Sequence, residues 1–208
     1  MVADLILYTN PMSRGRIAHW MIEETGAPYQ VEYLDYGTAM KDPGYLALNP
    51  LGKVPTLCHG EVVVTECAAV CAYLADVFPE AGLAPPTGER GPYYRWLFFA
   101  AGPLEAALTN RALGVEVPED ARGRVGYGDL PAMLDAIEAG LSQGPFIAGQ
   151  RFSAADVYVG SHLGWGMQFG TIEPRPAFRD YWARVSDRPA RARADAANAA
   201  HMPETGDA

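Results

Sequence analysis

The sequence predicts a small α/β domain followed by an all-helical domain, and three observations support this division. Strand-like and helix-like patterns alternate over roughly the first 80 residues. Strand patterns largely stop after residue 92, whereas helical patterns continue. The stretch between them, PEAGLAPPTGERGP (79–92), is rich in proline and glycine, as domain linkers often are. A composition of 49% hydrophobic and 20% charged residues is typical of a globular protein.

The first three elements form a predicted βαβ unit. The apolar run LILYT (5–9) ends at an Asn-Pro pair and predicts a buried strand. Apolar residues then recur every three or four positions over 13–26, which predicts a helix with Ser13 as N-cap and Gly26 just beyond its end. Alternation over 29–36 predicts a second strand. Because such crossovers are right-handed, the two strands are expected to be parallel.

A hairpin and a helix complete the first domain. Residues 54–64, VPTLCHGEVVV, read as two short strands that turn at His59-Gly60, and so add an antiparallel pair. The run TECAAVCAYLADVF (65–78) predicts a helix that ends before Pro79. With a short helix before the hairpin, the element order to about residue 80 is β-α-β-α-β-β-α.

Helical patterns dominate the second domain. The long apolar segment 93–113 predicts a helix that is kinked near Gly102-Pro103. An amphipathic helix is predicted over 129–144 and a further helix over 176–189. Residues 152–169 predict another helix.

The sharpest local signal in the second domain is FSAAD. Ser153 and Asp156 have the spacing of a capping box, in which each residue pairs with the other's backbone N–H. We interpret this motif as a folding signal and assign it no catalytic role.

Charge and cysteine content exclude several classes of function. A net charge of -9 disfavours sequence-independent binding of nucleic acid or anionic membranes, which requires a basic face. The N-terminus shows no signal-peptide pattern, and no run is long enough for a membrane span. The three cysteines, Cys58, Cys67 and Cys71, predict neither a disulfide framework nor a zinc site. A reduced, cytoplasmic setting is the simplest expectation.

Val54-Pro55 opens the first strand of the hairpin, where a proline cannot donate to the sheet. An isolated X-Pro bond is usually trans and would here begin an edge strand. The alternative is a cis bond that turns the backbone N–H and C=O of Val54 outward, where they can pair with a short peptide.

Four segments carry a resemblance to a known family. In chain order they are LILYTNPMSRGRIAHWMIEETGAPYQVEYLDY, NPLGKVPTL, TECAAVCAYLADVFP and FSAADVYV. Their order and spacing resemble the signatures of the cytosolic glutathione S-transferase superfamily, over residues 5 to about 188. The serine-type and theta/nu-like bacterial branches are the most similar. The resemblance implies an α/β thioredoxin-like N-terminal domain with a mixed four-stranded sheet, and an all-α C-terminal domain.

The domain boundaries follow from the linker and the resemblance together. We expect a thioredoxin-like, glutathione-binding domain over 1–80 and a linker over 81–92. An all-helical domain is expected over 93–198, and residues 199–208 are expected to form a flexible tail.

The resemblance also implies a glutathione site. Val54, before a cis Pro55, would pair main chain to main chain with the cysteinyl unit, and Lys53 would bind the glycine carboxylate. Glu66 would bind the ammonium of the γ-glutamyl group, and Cys67 with its amide would bind the carboxylate. Cys67 departs from the serine or threonine usual in the family. Because a thiol is a weak donor, the backbone N–H must then supply more of this binding. The alternative interpretation of Cys67 is a small buried residue.

A glutathione transferase needs a group that stabilises the thiolate, and three residues compete for this role. Ser13 is the first choice because it stands after the first strand at the start of the first helix, although it can equally act as an N-cap. Asn10 is the second choice and Tyr8 the third. No cysteine occurs over 10–13, which disfavours the branches that use a cysteine nucleophile.

The predicted function is conjugation of the glutathione thiol to electrophilic, largely apolar small molecules. The alternatives are a glutathione-dependent disulfide reductase or peroxidase and a non-catalytic binding or dimerisation module. Glutathione is expected as co-substrate, with no other cofactor, no metal, no nucleic acid and no membrane partner. A homodimer with a role in detoxification is implied. The predicted walls of the electrophile pocket are Tyr93, Trp96, Phe99 and Trp165.

Overall fold

Four short strands form a mixed sheet in the computed structural model, which describes residues 4–202. The strands are β1 (Leu5–Thr9), β2 (Gln30–Tyr33), β3 (Thr56–His59) and β4 (Val62–Thr65). Their order across the sheet is β2-β1-β3-β4. β1 and β2 are parallel, while β3 is antiparallel to both β1 and β4. The predicted βαβ unit and the added hairpin are therefore confirmed.

Nine α-helices are present in residues 4–202. They are α1 (Gly15–Thr25), α2 (Pro43–Leu48), α3 (Cys67–Val77), α4 (Gly91–Phe99), α5 (Glu105–Ala112), α6 (Leu130–Leu141), α7 (Ala154–Gln168), α8 (Pro176–Ser186) and α9 (Pro189–Ala199). The thioredoxin-like order β-α-β-α-β-β-α is thus confirmed for the N-terminal part, and a helical C-terminal part follows it.

The sheet buries alternate residues of β1, as a strand with a two-residue period requires. Leu5 and Leu7 are fully buried, and Thr9 lies on the same face as they do. Helix α1 approaches this face closely, since a Cβ on Gly15 would lie 2.0 Å from Thr9 Oγ1. On the opposite face, the ring of Tyr8 contacts the ring of Tyr45 from α2, with centroids 5.5 Å apart.

The described chain divides into two compact units whose boundaries differ from the predicted ones. One unit contains the residues up to Leu83 together with those from Asp187 onward, and the other is Ala84–Ser186. Helix α9, which we placed in the helical domain, therefore belongs to the sheet unit. The reason is its packing against α1, which the ion pair between Arg16 and Asp195 at 2.7 Å supports.

The predicted flexible tail, 199–208, is only partly within the described residues. Ala199 ends α9, and residues 200–202 continue from it as a turn. The remainder of this predicted tail, 203–208, lies outside the described part of the chain.

The kink predicted in the long helix is confirmed. Between α4 and α5, residues Ala100–Leu104 form a π-helical turn that contains Pro103. Proline has no N–H to donate and its ring crowds the carbonyl four residues earlier, so the regular helical ladder widens at this point.

The predicted capping box is also present at the start of α7. The Ser153 N–H donates to Asp156 Oδ2 at 2.9 Å. The other carboxylate oxygen accepts from the Ile147 N–H and from the Tyr181 hydroxyl, each at 2.8 Å. Asp156 thus joins the start of α7 to a loop and to α8, which explains its complete burial.

Within the described residues, no helix is long and apolar enough to cross a membrane. The same residues contain no group of three or more His, Cys, Asp or Glu side chains placed to hold a metal ion.

Candidate active site

The strand register brings the predicted site residues to one edge of the sheet. Tyr8 of β1 is paired with Thr56 of β3, and Thr56 is paired with Thr65 of β4. The residues next in the chain, Pro55 and Glu66, therefore lie beside the end of β1. The loop from β1 to α1, the loop before β3 and the start of α3 all meet here.

A direct contact confirms that the starts of α1 and α3 are adjacent. The Cys67 thiol donates to the backbone carbonyl of Arg14, with Sγ and O 3.4 Å apart. Two helix N-termini, each with backbone N–H groups that lack intrahelical acceptors, therefore meet at this edge. Such an arrangement favours an anionic ligand.

Ser13 lies in the turn that leads into α1 and is half-buried. Its hydroxyl donates to the carbonyl of Asn10 at 2.7 Å and accepts from the Gly15 N–H at 2.9 Å. Ser13 is therefore not the N-cap residue that we predicted, because α1 begins at Gly15 and Arg14 is its flanking residue. A serine hydroxyl carries one proton, so donation to a thiolate requires rotation away from the Asn10 carbonyl.

Asn10, the second choice, holds the same loop in place. Its Nδ2 donates to the carbonyl of Leu34 at 2.8 Å, and its Oδ1 accepts from the Met12 N–H at 2.9 Å. Only 7% of the residue is exposed. These bonds connect the loop to the end of β2, a structural role that the sequence did not indicate.

Tyr8, the third choice, lies within β1 rather than in the loop after it. Burial raises the pKa of its hydroxyl, and the charges of Cys58 and Glu32 raise it further. Position favours Ser13 over Tyr8, because Ser13 lies in the loop that leads into α1 whereas Tyr8 lies inside the strand.

The Val54-Pro55 peptide bond is cis, as predicted. The carbonyl of the preceding residue, Lys53, accepts from the hydroxyl of Tyr45 and from Asn49 Nδ2, the latter at 2.9 Å. Both side chains also reach Thr56 Oγ1. The backbone on either side of Val54 is therefore fixed by a buried polar network.

Sequence reasoning missed this network. The segment YLALNP carries Tyr45 and Asn49 in and just after a short helical pattern, and Thr56 opens the apolar strand TLCH. The sequence indicates that each of these polar residues is partly buried. It does not indicate that two of them bind the Lys53 carbonyl, because that contact depends on the path of the loop.

Two lysines lie at the loop before β3. Lys53, predicted to bind the glycine carboxylate, is exposed, and its ammonium forms no hydrogen bond with the described residues. Lys41, which we did not predict, donates from Nζ to the carbonyls of Leu51 and Gly52 at 3.0 and 3.1 Å. The ammonium of Lys41 therefore also lies beside this loop.

Glu66 adopts an unusual backbone conformation just before α3. Its φ of 67° is positive, and no other non-glycine residue in the described part of the chain has a positive φ. Side chains other than glycine pay a steric penalty there, and such residues concentrate at functional sites. The carboxylate is exposed and makes no ion pair with the described residues.

Cys67 is 93% buried, since only 7% of the residue is exposed. Its thiol contacts the Arg14 carbonyl, and it also pairs with the thiol of Cys71, one turn along α3. That hydrogen bond is the main reason why the pKa of Cys71 is raised, with burial as the second cause. The Cys67 side chain is thus committed to protein contacts, and its backbone N–H remains the group suited to a ligand.

The four predicted walls of the electrophile pocket differ in burial. Tyr93 and Trp96 are 1% and 3% exposed, whereas Phe99 and Trp165 are half-buried. Trp96 packs closely on α6, because a Cβ at Gly140 would lie 2.2 Å from its ring. Burial thus favours a packing role for Tyr93 and Trp96, and a role as pocket walls stays a prediction for all four.

Known proteins resemble this chain over nearly its whole length. Residues 3–76 match the model of the glutathione S-transferase N-terminal domain, and residues 105–184 match that of the C-terminal domain. Glutathione S-transferase 3 of Zea mays is 30% identical over 205 residues, which cover 91% of this chain and 92% of the relative. The chain belongs to the glutathione S-transferase family of enzymes.

Solved structures of the family support the same assignment. A glutathione transferase from Methylococcus capsulatus is 32% identical, with a TM-score of 0.78 over 94% of this chain and 99% of that one. A theta-class glutathione S-transferase from Xanthomonas axonopodis, solved with glutathione bound, is 30% identical, with a TM-score of 0.73 over 93% of this chain and 97% of that one.

Proposed function

We propose that this protein joins the thiol of glutathione to electrophilic, largely apolar small molecules. The observation that carries the proposal is the convergence, at one sheet edge, of the cis-proline loop, Glu66 and Ser13. Within this family, a relative with the same fold was solved with glutathione bound.

Each part of glutathione has a matching group at this edge. The backbone N–H and C=O of Val54, beside the cis bond, suit the cysteinyl unit, and the exposed carboxylate of Glu66 suits the α-ammonium. Lys53 and Lys41 are the cations available for the glycine carboxylate. The γ-glutamyl carboxylate is bound by the backbone N–H of Cys67 at the start of α3.

Ser13 stabilises the thiolate in this proposal. A free thiol has a pKa of about 8.5, so only a few per cent is ionised at neutral pH. One hydroxyl donor together with the start of α1 lowers this pKa by about one to two units, which corresponds to roughly 1.4–2.7 kcal/mol. No catalytic cysteine and no cofactor besides the co-substrate are required.

The reaction is a nucleophilic substitution or addition. The thiolate attacks an electrophilic carbon and an S–C bond forms. In a substitution, the leaving group departs with the electron pair of the bond it loses. In an addition, the displaced π electron pair takes up a proton from solvent. The proton released when the thiol ionises passes to solvent. An apolar electrophile requires an apolar pocket, for which Phe99 and Trp165 are the half-buried candidates.

A non-catalytic role is the second candidate, and one observation favours it. The Cys67 side chain binds protein groups, so the γ-glutamyl carboxylate loses one side-chain donor. A reductase or peroxidase, in which the bound thiolate attacks sulfur or oxygen, uses the same site and differs only in the electrophile.

Exposed apolar residues support the further proposal of a homodimer. The sheet unit exposes Leu51 before β3, together with Val62 and Val63 on the edge strand β4. The helical unit exposes Tyr94 and Phe98, one turn apart on α4. Uncovered apolar clusters of this kind favour protein contacts. Three free, buried thiols support a reducing, cytoplasmic location.

Calorimetry with glutathione, followed by parallel assays with an aryl halide and a mixed disulfide, tests the proposal. We expect binding at millimolar concentration or tighter and turnover of the aryl halide. Binding without turnover of either substrate would support the non-catalytic candidate, and turnover of the disulfide alone the reductase. Absence of binding at millimolar glutathione would contradict both enzymatic readings.

A further inference from the structure

Two thiols contact each other in the first turns of α3. Cys67 is the first residue of the helix and Cys71 follows one turn later, and their side chains form a hydrogen bond. Only 7% of Cys67 is exposed, and Cys71 is fully buried. The proposed glutathione site uses the backbone N–H of Cys67, so the two sulfur atoms have no role in it.

Only weak hydrogen bonds hold the thiol of Cys67. Besides its contact with Cys71, it donates to the backbone carbonyl of Arg14, with Sγ and O 3.4 Å apart. A thiol is a weak donor and a weak acceptor. A ligand that binds sulfur directly therefore gains more than these hydrogen bonds lose.

The spacing of the two thiols disfavours a disulfide. Side chains four residues apart on a helix have Cβ atoms about 5–6 Å apart. A disulfide requires about 3.5–4.5 Å between its Cβ atoms, so its formation would distort the start of α3. A metal ion between the sulfurs spans a longer gap, because two metal–sulfur bonds of about 2.3 Å, placed in line, hold the sulfurs about 4.6 Å apart. The helix therefore suits a bridging ion better than a disulfide.

The number and type of ligands select the ion. Zinc in proteins takes three or four protein ligands. Within the described residues, no other His, Cys, Asp or Glu joins this pair to make a group of three. Thiolates select soft ions, among them Cu(I), which is stable with two sulfur ligands in line. Two thiolates around one monovalent ion keep a single negative charge, which the N-terminus of α3 stabilises.

We propose that Cys67 and Cys71 form a binding site for one Cu(I) ion. Both thiols release their protons to solvent, two sulfur–copper bonds form, and the copper remains Cu(I), so no electron is transferred. The ion enters at Cys67, because Cys71 is fully buried. The site goes beyond the proposed transferase function and does not depend on it, because neither sulfur takes part in that reaction.

Competition for Cu(I) tests the proposal. Reduced protein without glutathione is titrated, in the absence of oxygen, into the coloured Cu(I) complex of bicinchoninate, whose absorbance falls as copper moves to the protein. We expect one Cu(I) per chain. The hydrogen bond with Cys67 and burial both raise the pKa of Cys71, so copper must displace its proton. Where both thiols are protonated, release of two protons should raise the affinity about a hundredfold per pH unit.

Serine variants locate the ion. Cys67→Ser and Cys71→Ser each keep one thiol of the pair. Both are expected to bind Cu(I) at least about a hundredfold more weakly, because loss of a residue that merely supports a ligand already costs about 10- to 100-fold. Cys58→Ser removes the third buried thiol, which lies in β3, and is expected to leave Cu(I) binding unchanged.

Four results would overturn the proposal. They are no transfer of Cu(I) from bicinchoninate to the wild type, equal affinity of the wild type and Cys71→Ser, a loss in Cys58→Ser as large as in Cys71→Ser, and an affinity that rises only about tenfold per pH unit, as for one thiol. If Cys71→Ser fails to fold, Cys67→Ser, which carries a residue usual in the family, and the pH dependence of the wild type still decide the matter.

Discussion

Glu66 combines a strained backbone with a free carboxylate at the start of α3. Strain of this kind concentrates at functional sites, and Glu66 carries it at the edge of the sheet where the glutathione site is proposed. The resemblance to the family implied the role of Glu66 as the acid before the helix. The positive φ was not predictable, because no local pattern in the sequence requires it.

The carboxylate of Glu66 sets one prediction. Glu66→Gln is expected to weaken glutathione binding about 10- to 100-fold, because a hydrogen bond to a charged group contributes roughly 1.5–3 kcal/mol. Calorimetry measures the change. Glu61→Gln, on the exposed turn between β3 and β4, is the matched control. Equal affinities of the two variants would remove Glu66 from the site.

The hydroxyl of Tyr45 sets a second prediction. Tyr45→Phe removes the bonds to the Lys53 carbonyl and Thr56 Oγ1 and loosens the loop that presents Val54. We expect a severalfold to tenfold higher KM for glutathione, with the pKa of the bound thiol unchanged, because Tyr45 positions the loop and does not contact sulfur. Steady-state kinetics across pH separate these effects. A shifted thiol pKa with an unchanged KM would contradict this role.

Helix α9 lies against α1 through a buried polar contact. His19 is fully buried, its Nδ1 accepts from Asn198 Nδ2 at 3.0 Å, and its Nε2 is 2.9 Å from the Tyr29 hydroxyl. That hydroxyl in turn donates to Glu23. The acceptor role of Nδ1 requires a neutral ring with the proton on Nε2. Burial accordingly lowers the pKa of His19.

This contact predicts acid sensitivity of α9. A lowered pKa in the folded state means that the unfolded chain takes up a proton first, below about pH 6.5. Stability from this contact is therefore complete above that pH and is lost as the pH falls. Hydrogen exchange of α9 amides should be faster at pH 5.5 than at pH 7.5 (both chosen to bracket the ordinary histidine pKa of about 6.5).

His19→Gln is the matched variant, since glutamine can keep one accepted and one donated bond but cannot titrate in this range. It should show the same α9 exchange at both pH values once intrinsic exchange rates are corrected. Persistent acid sensitivity in this variant would assign the effect to neighbouring charges, such as the ion pair of Glu23 with Arg193.

The start of α7 depends on Asp156. Burial raises its pKa to about 6, although its hydrogen bonds from Ile147, Tyr181 and Ser153 all act in the opposite direction. Asp156→Asn turns one acceptor oxygen into a donor that faces other donors. We expect a loss of about 2–4 kcal/mol in the free energy of unfolding.

Urea unfolding measures this loss. Asp135→Asn is the control, because its pair with Arg175 is 69% exposed on the aspartate side and contributes less than about 1 kcal/mol. Similar unfolding midpoints for the two variants would show that the capping box is not the folding signal that its pattern suggests.

At the scale of the whole molecule, most of the fold was predictable because its signals are local. β1 was predicted at its observed bounds, and the hairpin turn, the widened helix at Pro103 and the capping box follow from residues adjacent in the chain. The packing of α9 in the sheet unit was not predictable. Its partners, such as Glu24 for Arg188, are distant in sequence and carry no pattern that links them.

The candidate site likewise has features that were predictable from the sequence and features that were not. Its residue types and the cis bond followed from the family resemblance. The present partners of Ser13 and Cys67, both backbone carbonyls, depend on how two loops approach each other in space. The sequence does not encode that approach in any short motif.

The role of Ser13 depends on ionisation of the bound thiol. The most direct measurement is the ultraviolet absorbance of the glutathione thiolate, bound at saturation, as a function of pH. It should be recorded for the wild type, Ser13→Ala and Ser142→Ala. Ser142 is the matched control because its hydroxyl also donates, at 2.7 Å, to a carbonyl three residues earlier.

We expect a thiol pKa about one to two units below the free value of about 8.5 in the wild type and in Ser142→Ala. In Ser13→Ala, the pKa should return most of the way to the free value. An equally low pKa in Ser13→Ala, with glutathione still bound, would contradict the claim that Ser13 stabilises the thiolate.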